Sequence, residues 1–100
     1  MATYDIIIKD GLVFDGTGAP RIRGDVGIAD GKVTSIGRLP ANEGKRVIDA
    51  SGMHVVPGFV DLHTHYDAQV FWDPYCTLSG WHGITSVAIG NCGFGFAPVE

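Results

Sequence analysis

Long apolar runs are missing from this chain of 100 residues, as are clustered basic residues and all but two cysteines. Gly, Pro, Asp or His interrupts each hydrophobic stretch well short of the roughly 20 residues that span a bilayer, so no membrane-spanning helix is expected. The seven Lys and Arg are scattered and the formal net charge is −4. That is the wrong sign and the wrong pattern for contact with a phosphate backbone, which excludes nucleic acid as an expected partner. The opening "MATYDIIIKD" has no basic leader, long apolar core or small-residue cleavage signal, and the expectation is a cytoplasmic protein. In a reducing compartment Cys76 and Cys92 are expected as free thiols or ligands rather than as a disulfide.

Apolar residues make up 45% of the chain and charged ones 18%, a globular balance. Glycine stands out at 15 residues, against an average usage of about 7%. The glycines fall at turns along the whole chain, which favours many short strands. "TYDIIIKDGLVF" reads as a strand at Tyr4 to Lys9, an Asp10-Gly11 turn and a return strand at Leu12 to Phe14, because Asp-Gly between apolar runs suits a two-residue type I′ turn. "VGIADGKVTSI" repeats the design around Asp30-Gly31, with a bulge or edge expected near Ser35 and Ile36, where the alternation slips. "LPANEGK" is a polar loop, and "RVIDASG" is a further short strand closed by Gly52. Residues 1–54 are thus expected to form a small antiparallel β-unit.

From residue 55 the pattern changes. "HVVPGFVDLHTH" and "GITSVAIGNCG" are near-continuous apolar or β-branched runs, the mark of parallel strands buried on both faces. The intervening Tyr66 to His82 is long enough for a crossover. It is expected to hold a helix with Asp73 as N-cap and Pro74 at the first helical position, ending near Gly80 or Gly83. Residues 55–100 therefore read as the first βαβ unit of a parallel α/β architecture.

The chemistry lies at the expected strand ends. With a side-chain period of two, His63 and His65 face one way and Thr64 the other. Two imidazoles on one face can converge on a single ion at about 2.0–2.1 Å. Cys92 follows the next strand, on the side where parallel α/β folds gather their sites, and is the candidate third ligand. Asp67 is placed either to orient an imidazole or to cap a turn. Asp61 is one pleat below the pair and reads as a packing or buried polar contact. His54 reads as a partly buried, satisfied histidine, and His82 as structural. Cys76 has no ligand spacing around it, and Phe94 and Phe96 read as packing.

"VVPGFVDLHTHYDAQVFWDP" and "GITSVAIGNCGFGFAPV", together with the upstream "DGLVFDGTG" and "GDVGIADGKVTSIG", resemble the amidohydrolase superfamily. "GNCGFGFAP" resembles its D-aminoacylase (N-acyl-D-amino-acid deacylase) branch. The resemblance implies an α/β fold: the N-terminal part of a metal-dependent (β/α)₈ barrel hydrolase, preceded by short antiparallel strands of a small β-sandwich domain. Residues 1–54 would be the incomplete sandwich portion and 55–100 the incomplete first barrel unit. It further implies zinc, one or two ions, held at His63, His65 and Cys92. The implied reaction is hydrolysis of the amide of N-acyl-D-amino acids by a metal-activated water. A (β/α)₈ barrel takes about 250 residues, so the later ligands, the general acid/base and the rest of the barrel are expected in a missing C-terminal portion of the same enzyme. Two alternatives remain: a cyclic-amide hydrolase of the dihydropyrimidinase or dihydroorotase type, and a non-catalytic β-rich zinc-binding module.

Overall fold

A computed structural model describes residues 2–91. The chain divides into two compact units, one ending at Pro57 and the other starting at Gly58.

The first unit is a mixed five-stranded sheet built around β1 (Tyr4–Val13). On one side, β2 (Ile22–Ala29) pairs antiparallel with β1, and β3 (Lys32–Gly37) pairs antiparallel with β2. On the other side, β4 (Gly44–Asp49) and β5 (His54–Val55) both run parallel to β1. The expectation of a wholly antiparallel unit is therefore corrected. After β3 the chain passes through a 3₁₀ turn at Ala41–Glu43 and returns to the far edge of β1, a non-local pairing that alternation along one strand does not encode.

The Asp30-Gly31 turn is present, with φ of 53° and 73°, the paired positive values that a type I′ turn requires. The adjacent bulge falls at Thr34, because Gly27 pairs with Ser35 while Ile28 pairs with Val33. The Asp10-Gly11 turn is absent, and β1 runs straight through. Ile8 pairs with Val26 and Gly11 with Gly24, so Lys9 and Asp10 together oppose Asp25 in a β-bulge. Asp10 takes the positive φ of 62°. The fully buried Asp25 carboxylate fills the gap, accepting from the Asp10 N–H at 2.8 Å, the Leu39 N–H at 2.8 Å and Lys9 Nζ at 2.9 Å. Ile7, Val13, Val26 and Ala50 form the buried apolar centre. An apolar hollow of about 230 Å³, lined by Val13, Phe14, Val33, Ile36 and Val55 among others, is left open to solvent.

In the second unit, β6 (Phe59–Asp61) and β7 (Ile84–Val87) pair in parallel, joined through α1 (Tyr66–Gln69) and α2 (Thr77–Trp81). The parallel pair with a helical crossover is as expected, with three differences. The apolar run before the histidines is cut at Pro57-Gly58, and its first half belongs to β5. Helix α1 was not expected. Helix α2 begins at Thr77, because Asp73-Pro74 enters a turn in which the Cys76 N–H meets the Asp73 carbonyl at 3.1 Å. The Asp73 carboxylate still receives the Thr77 N–H at 2.9 Å. Phe59, Val60, Leu62, Phe71, Trp72 and Trp81 are exposed. Among the described residues no helix is long and apolar enough to cross a membrane.

Candidate metal centre

The two parallel strands deliver two loops to the same end of their sheet. β6 stops at Asp61 and runs through Leu62–His65 into α1, while β7 stops at Val87 and runs on to Asn91. The Ala88 N–H reaches the Asp61 carbonyl at 2.8 Å, which extends the ladder by one bond. His63 and His65 therefore lie just past the strand rather than in it, yet the alternation persists: both imidazoles are exposed and Thr64 between them is buried. Their ring centroids are 6.0 Å apart and the planes are tilted by 45°.

Three side chains tie the loops together. Thr64 Oγ1 donates to the Ala88 carbonyl at 2.7 Å. Asp67 Oδ1 accepts from the Gly90 N–H at 3.1 Å. Asn91 Nδ2 donates to the Leu62 carbonyl at 2.8 Å. Asp61 Oδ1 accepts from the His63 N–H at 3.1 Å, an exposed polar contact rather than the packing or buried polar contact expected of it. Behind the loop, the buried Tyr66 shares a hydrogen bond of 2.7 Å with Ser79 Oγ, linking α1 to α2.

Of the candidate ligands, the structure brings His63 and His65 together, and Cys92 lies outside the described residues. Among the described residues no three His, Cys, Asp or Glu side chains cluster closely enough to hold an ion. The pair itself suits zinc. Two imidazoles on one tetrahedral ion, bound at about 2.0–2.1 Å, hold their ring centroids roughly 5 Å apart. The observed 6.0 Å differs from this by about an ångström, which a side-chain rotation covers. Asp67 is buried, and one of its oxygens is engaged by Gly90; an ionised carboxylate retains further acceptor capacity. His54 is exposed, not partly buried as expected, and packs edge-on against Phe14 at 5.3 Å. Cys76 is a free thiol in a left-handed conformation, with φ of 50°, at the start of α2. His82 closes the same helix.

Sequence reasoning missed Thr64 and Asn91 as contributors. Their partners are backbone carbonyls, which leave no mark in a sequence; the available signal was a polar residue at each strand end.

Residues 46–98 match the model of an amidohydrolase family, and this span contains the histidine pair and both strand-end loops. The chain belongs to that family. It is 51% identical to an uncharacterized protein of Mycobacterium tuberculosis, over 90% of this chain and 15% of that protein. It is similar to the solved N-acyl-D-glutamate deacylase of Bordetella bronchiseptica, complexed with zinc and a phosphonate mimic of the tetrahedral intermediate. The TM-score there is 0.82 and the identity 44%, over 95% of this chain and 20% of that one. A D-aminoacylase structure that addresses a binuclear metal centre gives a TM-score of 0.85 at 40% identity, over 96% of this chain and 20% of that one. The chain thus spans between a seventh and a fifth of the length of these relatives.

Proposed function

We propose that this chain is the N-terminal portion of a cytoplasmic zinc hydrolase that cleaves the amide of N-acyl-D-amino acids. In this reading a small β-sandwich portion, expected over residues 1–54, is followed by the opening of a (β/α)₈ barrel, expected over 55–100, and the compact units part three residues later, between Pro57 and Gly58. His63, His65 and Cys92 are assigned as ligands of one or two zinc ions, and Asp67 as their supporting carboxylate. The observation that carries the reading is the exposed imidazole pair, 6.0 Å apart at the end of a parallel strand. It sits in a chain 44% identical to a zinc-bound N-acyl-D-glutamate deacylase. Thiolate ligation by Cys92 requires a reduced cysteine, which is the basis for the cytoplasmic assignment.

Bound zinc would supply Lewis acidity toward the acyl carbonyl and lower the pKa of a coordinated water to about 7. The chain's own residues prepare that chemistry. His63 and His65 stand exposed on either side of Thr64, which is anchored to the neighbouring loop. Asp67, held by the Gly90 N–H, is assigned the role of supporting carboxylate, whose remaining acceptor capacity would serve to orient an imidazole. The general acid/base, the remaining ligands and the substrate-specificity loops are assigned to chain beyond residue 100. The exposed Phe59, Val60, Phe71 and Trp72, and the open hollow in the first unit, are surfaces that further barrel and sandwich elements would cover.

The test is the complete reading frame that carries this sequence, purified with zinc and offered N-acetyl-D- and N-acetyl-L-amino acids alongside dihydrouracil. The reading expects D-selective release of free amino acid. It also expects His63→Ala, His65→Ala and Cys92→Ser each to lower both zinc content and kcat/KM by more than the roughly 10–100-fold typical of a lost supporting residue. Ring opening of dihydrouracil without deacylation would assign the chain to the cyclic-amide hydrolases, and zinc binding without hydrolysis would make it a non-catalytic module.

A further inference from the structure

Among the described residues, the imidazole pair has a feature that simple strand termination does not require. Each ring-bearing position is exposed, whereas the residue between them is buried and bonded to the neighbouring loop. A threonine at an exposed strand end can turn its hydroxyl to water, whereas the buried Thr64 cannot. Here Oγ1 is instead committed to the Ala88 carbonyl at 2.7 Å, one residue past β7. The same two strand-end segments are joined twice more, both times with the donor on the β7 side. Asp67, in α1, accepts from Gly90 at 3.1 Å, and Asn91, in the β7 loop, donates to Leu62 at 2.8 Å. The three links are attached at Leu62, Thr64 and Asp67, so they bracket His63 and His65 on both sides and fix the residue between them.

Three bonds of this kind restrain more than position. The link at Thr64 fixes which way the alternation runs, and therefore the side to which both imidazoles point. The links at Leu62 and Asp67 fix the height and the pitch of the loop over the sheet end. A site whose ligands are already oriented loses less conformational entropy when it binds an ion, and misplacement of a ligand by even about an ångström is felt.

We propose that Thr64 and Asn91 are positioning residues for the metal site, forming with Asp67 a three-point clamp that presets the His63–His65 pair against the loop that follows β7. The inference rests on the reading of His63 and His65 as ligands. Thr64 acts through its hydroxyl and Asn91 through its amide, and neither touches an ion or a substrate.

The experiment uses the full-length protein, stripped of metal, and measures Zn²⁺ affinity by competition with a chromogenic chelator and the visible spectrum of the Co²⁺ form. Thr64→Val keeps the side-chain shape and removes the donor; Thr64→Ser restores the donor; Asn91→Ala removes the second link at an exposed position that tolerates truncation. Thr64→Val and Asn91→Ala are each expected to weaken Zn²⁺ binding about tenfold, in line with the effect of residues that support ligands. Each should also alter the Co²⁺ spectrum while leaving circular dichroism unchanged, and Thr64→Ser is expected to keep wild-type affinity and spectrum. Wild-type affinity and spectrum in both Thr64→Val and Asn91→Ala would overturn the clamp, provided His63→Ala and His65→Ala lose the metal. If those two bind Zn²⁺ as tightly as wild type, the ligand assignment itself falls, and the clamp falls with it.

Discussion

The Asp25 carboxylate and the Lys9 ammonium meet at 2.9 Å across the bulge in β1, with the carboxylate fully shielded from water and the lysine side chain only 23% exposed. The pair is the visible part of a larger arrangement, because the same carboxylate also accepts the Asp10 and Leu39 N–H groups. Asp25 therefore closes the bulge and fastens the crossover that leads from β3 toward β4.

Asp25→Ala is expected to destabilise the protein by about 2–4 kcal/mol, since it strands the Asp10 and Leu39 N–H donors and leaves the Lys9 ammonium with the Leu39 carbonyl but no counter-charge. Asp25→Asn, which keeps one acceptor oxygen, should cost roughly half as much. Urea unfolding of both variants measures the difference. A loss below about 0.5 kcal/mol for Asp25→Ala, the range of an ordinary surface substitution, would remove Asp25 from this role.

The same residue sets an acid limb. Burial alone would raise its pKa, but the N–H groups of Leu39 and Asp10 and the Lys9 ammonium together outweigh burial and hold it below the ordinary aspartate value. A depressed folded pKa contributes stability that is complete above the unfolded value of about 3.9 and is lost as pH falls through the folded one. Melting temperature should therefore be flat from neutral pH down to about 5 and decline below about 4. The gap between wild type and Asp25→Asn should narrow over that decline. Asp5, Asp15 and Asp49 are also held low, by Asp30 N–H and Lys45, by Thr17 and by Ser51, and they leave a residual slope of the same sign in the variant.

What the sequence disclosed depended on how local the deciding contact is. The Asp30-Gly31 turn was legible because both of its residues adopt positive φ by themselves. The identical dipeptide at residues 10 and 11 becomes a bulge because Asp25, fifteen residues on, captures the Asp10 N–H. The parallel placement of β4 and β5 against β1 is likewise a matter of partners far along the chain. In the second unit, the facing of His63 and His65 was readable because period-two alternation outlasts the strand itself. The clamp was not readable, since Thr64 and Asn91 bind carbonyls, which every residue possesses.

Gly58, immediately before β6, faces Thr85 of β7 with no room for a side chain. A Cβ added there would overlap the Thr85 hydroxyl and methyl, and the Thr85 Cβ would itself lie 2.7 Å away. Rotating the threonine therefore gives no relief. Gly58→Ala is expected to push the start of β6 away from β7 and to cost about 1–3 kcal/mol, the range for overpacking. Because both strands carry loops of the candidate site, zinc affinity should fall with stability. Gly58→Ala combined with Thr85→Gly should recover both properties, because the double variant removes the colliding Cβ; failure of that recovery would place the cause elsewhere.

Asp67 has an observed role as a loop tie and a proposed one as a supporting carboxylate, and one substitution separates them. Its Oδ1 receives the Gly90 N–H at 3.1 Å, a tie that an asparagine oxygen can also make. The proposed support of an imidazole ligand needs a carboxylate, which an asparagine cannot reproduce. Asp67→Asn should then keep the melting temperature near that of wild type while weakening zinc binding about tenfold, as expected for a carboxylate that raises the basicity of a ligating histidine. Asp67→Ala loses the tie as well and should lower both. The comparison is made by differential scanning calorimetry of the metal-free forms and chelator competition for zinc. Wild-type zinc affinity in Asp67→Asn, together with a lowered melting temperature in Asp67→Ala, would reduce Asp67 to a loop tie alone.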